Sequence, residues 1–249
     1  GDACLPESIS EIIDPESCRN HGAADVRRVP ESTPVRIDGD SPMYGMFTSG
    51  TTGEPRCVVV PHRAVLRLVE DPFFLRLGRD SRVLNAAPLA FDASTIEIWG
   101  PLLNGGTVAI WTGHAADLAG IGDFLRRTEV DACWLTTALF NAAVDTLPGF
   151  FRSISTVMTG GDVVSVDHVR KVMAQHPELT VVNGYGPTEN TVFTSCEVVP
   201  PGVHPTRIRP TRSTALRLKM TPSRKAKNGM KKHCEKIPRS GALQRVSAA

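Results

Sequence analysis

The chain has 249 residues, 41% of them hydrophobic, which is enough to bury one sizeable core, and its formal net charge is +2. No apolar run approaches the ~20 residues that cross a bilayer, and the opening GDACLPESIS has neither a basic nor an apolar leader region, so a soluble, cytoplasmic protein is expected. Six scattered cysteines (Cys4, Cys18, Cys57, Cys133, Cys196, Cys234) form no CxxC pair, which argues against a zinc site or a dense disulfide framework and for free thiols.

Taken in chain order, residues 1–41 are rich in Pro, Asp, Glu and Ser and carry one short apolar patch, SISEII, so they read as a loosely ordered lead-in. Residues 42–204 change character. Short apolar or β-branched runs (VLNAAP, TVAIW, DACWLT, STVMTGG, TVVNGYG) alternate with longer segments whose apolar residues recur every three or four positions (IEIWGPLLNG, DLAGIGDFLRRTE, TALFNAAVDTL, VDHVRKVMAQH). In the last of these Val166, Val169, Val172 and Met173 share one helical face. The alternation predicts an α/β fold with a largely parallel, helix-covered sheet, in which ligands gather where strands end in loops at the carboxyl edge. Residues 205–249 lose this pattern and hold 13 of the 28 Lys and Arg but only 1 of the 26 Asp and Glu, giving +12 against −10 for the preceding chain. A basic, disordered tail is expected; its alternative is a basic arm that neutralises the phosphates of nucleic acid or an acidic membrane, though without interleaved aromatics stacking on single strands has no support. The first residue is Gly rather than Met, which reads as a fragment.

Chemistry-bearing residues stand at the ends of the apolar runs. Thr48-Ser49-Gly50-Thr51-Thr52-Gly53-Glu54-Pro55-Arg56 follows MYGMF; its glycines allow close approach to an anion, and its hydroxyls and N–H groups donate to phosphate oxygens. Composition alone leaves a triphosphate cradle and a polar turn both open. A Walker A loop is excluded, because Gly53 is followed by Glu54 rather than Lys. Phe91-Asp92-Ala93-Ser94 places a carboxylate at a strand-to-helix junction, where it either caps the helix or faces a ligand. Thr159-Gly160-Gly161-Asp162 ends another strand. Asn183-Gly184-Tyr185-Gly186-Pro187-Thr188-Glu189 then presents an amide, an aromatic ring, a hydroxyl and a carboxylate in seven residues.

In this order, TSGTTGEPR, FDAS, TGGD and NGYGPTE resemble the signatures of adenylate-forming enzymes, and most closely those of nonribosomal peptide synthetase adenylation domains, over roughly residues 40–199. The first signature commonly continues Pro-Lys-Gly, whereas this chain has Pro55-Arg56-Cys57: the charge is kept as a planar fork, and a side chain stands where the family has none. The resemblance implies the large N-terminal domain of the family, incomplete, acting on ATP with Mg²⁺. Thr48, Ser49, Gly50, Thr51, Thr52, Gly53, Arg56, Gly161, Asn183, Tyr185 and Gly186 would then hold the nucleotide, with Tyr185 stacking on adenine. Thr188 would touch the α-phosphate and Glu189 would hold the metal as the catalytic pair. Asp92 would face the substrate ammonium, and Ala93, Ile96, Leu135, Met158, Gly160, Gly184 and Val192 would line the side-chain pocket. That set implies a hydrophobic, even aromatic, amino acid.

A full synthetase of this kind would pass the acyl group to a carrier-protein phosphopantetheine thiol. No RTGD-like segment for the ribose and no C-terminal lid with the family's lysine is recognisable, so the chain is expected to show little or no activity by itself. Two other readings stay open at this point, an inactive nucleotide-binding remnant and a piece of an acyl- or aryl-CoA synthetase. No membrane or nucleic-acid partner is expected.

Overall fold

The computed structural model describes residues 37–49, 55–202 and Pro205. The phosphate-loop positions 50–54, most of the lead-in and all but the first residue of the basic tail lie outside the described residues.

A hairpin comes first. Strands β1 (Pro42–Thr48) and β2 (Arg56–Pro61) pair antiparallel, with Thr48 opposite Arg56. Helix α1 (His62–Val69) follows directly and buries Ala64, Val65, Leu68 and Val69 on one face. A regular alternation then runs β3 (Arg82–Asn85), α2 (Ala93–Leu103), β4 (Thr107–Ile110), α3 (Leu118–Arg127), β5 (Ala132–Thr136), α4 (Thr137–Thr146), β6 (Thr156–Gly160), α5 (Val166–Gln175), β7 (Thr180–Tyr185) and β8 (Ser195–Val199). Local chemistry sets the helix starts. Asp117, Thr136 and Ser165 each accept an amide of the first turn of α3, α4 and α5, at Gly120, Leu139 and His168. Arg126 and Arg127 close α3 where the helix dipole favours cations.

Strands β3 to β8 form one sheet in the order β4-β3-β5-β6-β7-β8, parallel except for the antiparallel β7–β8 pair. Alternating side chains send the strands' apolar residues to both faces, and helices cover both. On one face Leu84, Cys133, Leu135, Val157 and Val181 pack against α3, α4 and α5 through Ile121, Leu125, Phe140, Val144, Val169, Val172 and Met173. On the other, Val83, Ala132, Trp134, Met158, Val182 and Cys196 pack against Leu68 and Val69 of α1, Ile96 of α2, and Phe74 and Phe193. Because β3, β5, β6 and β7 are parallel, Asn85, Thr136, Gly160 and Tyr185 all end at the same sheet edge. The segments FDAS, TGGD and NGYGPTE therefore close or follow strands that end along that edge.

Candidate active site

The hairpin brings its signature residues to this edge. Thr48 ends β1 and donates to the Arg56 carbonyl at 3.4 Å, and Ser49 and Arg56 are exposed beside it. Gly50, Thr51, Thr52 and Gly53 lie outside the described residues. The hairpin is tied to α2 by a 2.8 Å hydrogen bond between the Tyr44 hydroxyl and Thr95 Oγ1, and β2 also packs on the 3₁₀ turn Thr188–Asn190. Burial raises the Tyr44 phenol above its usual value; the Thr95 bond offsets part of this, and the nearby charge of Asp92 adds to it.

Asp92 is half-buried at the mouth of α2. Although it occupies the N-cap position, its carboxylate does not take the second- or third-residue amide that a capping side chain accepts. Instead it accepts the Thr188 hydroxyl at 2.9 Å across 96 residues of chain. Desolvation holds the Asp92 carboxyl above the ordinary aspartate range; hydrogen bonds from Thr188 and from the amides of Ala93 and Asp92 pull it down, and the Glu189 charge pushes it up. A half-buried carboxylate with an exposed one nearby favours a cation beside them.

The glycines of this edge admit close neighbours. A Cβ on Gly160 would come within 2.8 Å of the Trp134 ring and closer still to the Gly184 carbonyl; one on Gly184 would strike the Phe193 ring. Gly161 has φ +85°, a backbone region that suits glycine. Trp134 and Phe193 stack at 5.4 Å, and Phe193 also meets Phe74 edge-on at 5.5 Å. Ile96 of α2, Met158 of β6 and Val192 lie in one buried cluster with Phe193, and Trp134 packs against it; neither aromatic residue belongs to the sequence motifs.

One expected member is displaced. Leu135 is buried on the opposite face of the sheet, in contact with the α3–α5 core. The strand alternation requires it: Trp134 pairs in register with Met158 and Leu135 with Thr159, so Trp134 takes the place expected of Leu135. In-register parallel neighbours share a face, so the pairing with Met158, which the sequence does not specify, is what selects Trp134. Phe193 follows Val192 directly and is the second omission.

Two ionic side chains, one buried and one half-buried, are further omissions. Glu97 of α2 is fully buried; its Oε2 accepts Asn85 Nδ2 at 2.8 Å and the amides of Ala86 and Ala87 at 3.2 and 3.0 Å, and its Oε1 has no hydrogen-bond partner. It pins the loop that leads from β3 to Asp92. Burial pushes its carboxyl up to about 7 against the pull of these donors. A lone carboxylate in the apolar stretch ASTIEIWGPLL is its sequence signal. Arg67 of α1 donates to the carbonyls of Asn190 (2.7 Å), Thr191 (3.3 Å) and Phe193 (3.2 Å). The turn it holds has Thr191 and Val192 at φ +57° and +69°, consecutive β-branched residues in the left-handed region, which cost on the order of 1–3 kcal/mol each.

The remaining expected residues end β7. Asn183 is buried, the Tyr185 ring is 59% exposed and so presents a face for stacking, and Glu189 is exposed on the 3₁₀ turn. A Cβ on Gly186 would meet the Val192 carbonyl and the Thr194 amide, so β7 and the turn touch backbone to backbone there. Among the described residues no group of three or more His, Cys, Asp or Glu could hold a metal. Glu189 alone, with ligand oxygens and water completing the shell, is a donor set that suits Mg²⁺. Two cavities of about 500 and 560 Å³ lie near the opposite strand ends, one beside Ile154 and Leu179, the other beside Thr156 and Thr180. No helix among the described residues is long and apolar enough to cross a membrane.

Comparison with known proteins points the same way as this geometry. The family model described as AMP-binding enzyme matches residues 3–221. The chain is similar to a linear gramicidin synthase of Brevibacillus parabrevis (42% identity, covering 67% of this chain and 2% of that protein). It is also similar to tyrocidine synthase 3 of the same organism (35%, covering 80% and 3%). Among solved structures, PA1221, described as a nonribosomal peptide synthetase protein containing adenylation and PCP domains, superposes with a TM-score of 0.65 at 41% identity over 68% of this chain and 34% of that one. The N-terminal subdomain of Klebsiella oxytoca NpsA in complex with anthranilyl-AMSN gives 0.66 at 26%, covering 72% and 47%. The chain thus spans a few per cent of the curated relatives it matches and about a third to a half of these structures. The helix-covered, mostly parallel sheet expected from the sequence is the fold found.

Proposed function

The chain belongs to the AMP-binding enzyme family, and from that premise we propose that it is the nucleotide- and substrate-holding part of an amino-acid-activating adenylation domain of a nonribosomal peptide synthetase. The observation that carries this reading is the bond between Asp92 and Thr188. In an aminoacyl-adenylate the ammonium nitrogen and the α-phosphorus are separated only by Cα, the carbonyl carbon and one bridging oxygen. A carboxylate for the ammonium and a hydroxyl for the phosphate must therefore stand side by side.

In this reading the amino-acid carboxylate attacks the α-phosphorus of ATP, the bond to the bridging oxygen breaks, and pyrophosphate leaves. Asp92 binds the ammonium in a half-buried place where a charge-assisted contact is strong. Thr188 donates to the α-phosphate, and Tyr185 and Asn183 receive the adenine on its face and edge. Thr48, Ser49 and Arg56, with Gly50, Thr51, Thr52 and Gly53, receive the terminal phosphates, and Gly161 and Gly186 let the nucleotide lie against the backbone. Mg²⁺, held by Glu189 and phosphate oxygens, would neutralise phosphate charge. Positioning and charge neutralisation supply most of the rate in this class of transfer.

Ala93, Ile96, Trp134, Met158, Gly160, Gly184, Val192 and Phe193 surround the side chain in this reading. Trp134 and Phe193 fill the space over the two glycines, which supports a compact aliphatic side chain over an aromatic one. The acyl group would pass to a carrier thiol in a longer protein.

The test is binding of sulfamoyl analogues of aminoacyl-adenylates to the 249-residue chain. An analogue with a branched aliphatic side chain should bind at least tenfold more tightly than its des-amino counterpart, a loss that follows from stranding a half-buried carboxylate. Equal affinity would return the chain to an acyl- or aryl-activating reading; binding of neither would leave an inactive remnant. Asp92→Ala should erase the discrimination.

A further inference from the structure

We propose that Arg67, a residue outside every motif, is a positioning residue that makes the nucleotide-side and side-chain-side halves of the site a single rigid unit by clamping the segment Asn190–Phe193. This deepens the adenylation reading and rests on it for the identity of the ligand, though not for the clamp itself.

The guanidinium reaches the carbonyls of Asn190, Thr191 and Phe193. Immediately before this segment stand Thr188 and Glu189; within it are Val192 and Phe193, which wall the side-chain region. The turn closes on itself through the amides of Asn190 to Pro187, Thr191 to Thr188, Phe193 to Thr191 and Thr194 to Tyr185. Asn190 Nδ2 adds a bond to Thr194 Oγ1 at 2.7 Å. Those bonds leave the carbonyls of Asn190 and Phe193 to Arg67.

Two consecutive β-branched residues with positive φ persist only where their surroundings over-determine the conformation. Arg67 supplies that constraint from another element. Among the described ion pairs none engages it; Nη1 and Nη2 donate to backbone rather than to a carboxylate, and Nε has no hydrogen-bond partner. A planar fork reaches several carbonyls at once, which an ammonium does not. Because Thr188 is bonded to Asp92, a turn that relaxes shifts both subsites together.

Hydrogen exchange on the chain without ligand and binding of the sulfamoyl analogues of valyl- and alanyl-adenylate test this. In Arg67→Met the amides of Asn190, Thr191, Phe193 and Thr194 should exchange about tenfold or more faster, with those of β6 unchanged, as expected from losing hydrogen bonds to a charged donor. The preference for the valyl over the alanyl analogue should shrink, and Arg67→Lys should restore part of both effects. A merely structural role would speed exchange throughout and leave the preference intact, and that result overturns the proposal, as does unchanged exchange in the turn. If Arg67→Met does not fold, Arg67→Lys carries the same comparison against the unmodified chain. Failure of the unmodified chain to bind any analogue would count against the adenylation reading, while the exchange pattern still judges the clamp.

Discussion

The two faces of the sheet are built from the same strands and serve different ends. The face under α3, α4 and α5 is filled by Leu84, Cys133, Leu135, Val157, Val181 and Phe140, an apolar core whose members are interchangeable in kind if volume is kept. The opposite face begins as a core, with Val83, Ala132 and Val182, and changes toward the carboxyl edge. There Gly160 and Gly184 replace side chains, Trp134 and Phe193 fill from the sides, and a carboxylate and a guanidinium, Glu97 and Arg67, are committed to loop backbone. Burying charge to fix main chain costs stability that a purely apolar layer would keep. One face is made for cohesion and the other gives up cohesion to hold a shape.

The largest test of that difference is Leu135→Ala. On the packing face it should cost about 2–5 kcal/mol of unfolding free energy, the usual range for a buried leucine, and leave the preference among aminoacyl-adenylate analogues as it was. Chemical denaturation and analogue binding measure the two halves. A change of preference without a large loss of stability would place Leu135 on the site face and break the comparison.

How much of this is legible in the sequence follows the same division. The β/α alternation, the parallel sheet and the motif-bearing strand ends can be read because they depend on local periodicity and on glycine-rich turns. The meeting of Asp92 with Thr188 is expected only from the resemblance, since no local pattern connects residues 96 positions apart. Trp134 is missed by one position because DACWLT is apolar on both faces, so alternation carries no polarity signal in it, and only register with β6 decides which side chain faces the site. Arg67 is missed because in HRAVLRLV a basic residue opposite an apolar stripe looks like a solvated helix face. What selects it is a backbone more than a hundred residues away.

A second prediction, of intermediate size, concerns the carboxylate of the site face. Glu97 titrates near 7 in the fold against 4.5 for an ordinary glutamate. Between those values the folded chain holds the proton and the unfolded chain does not, so stability falls as pH rises through the window and is level above it. The loss is on the order of 3 kcal/mol. Glu97→Gln keeps an acceptor for Asn85, Ala86 and Ala87 and removes the charge, so it should be more stable than the unmodified chain at pH 8 and equal to it near pH 4. Denaturation midpoints across that range measure it; an equal loss with pH in both proteins would mean that other groups carry the dependence.

The smallest effect is the most specific. If Trp134 limits the side-chain region, Trp134→Val should raise the affinity for a phenylalanyl-adenylate analogue relative to the valyl one by roughly tenfold, since pocket contacts of this kind discriminate by about 1–3 kcal/mol. The ratio is the proper readout, because the ring also packs on Phe193 and its loss lowers stability for every ligand alike. Gly160 supplies the internal control. A Cβ there would meet the Gly184 carbonyl as well as the indole, so Trp134→Val relieves one obstacle and leaves the other. Gly160→Ala should therefore stay harmful in the Trp134→Val background. Rescue of Gly160→Ala by the valine would mean that the glycine exists for the tryptophan and that the strands, rather than the ligand, dictate the emptiness of this face.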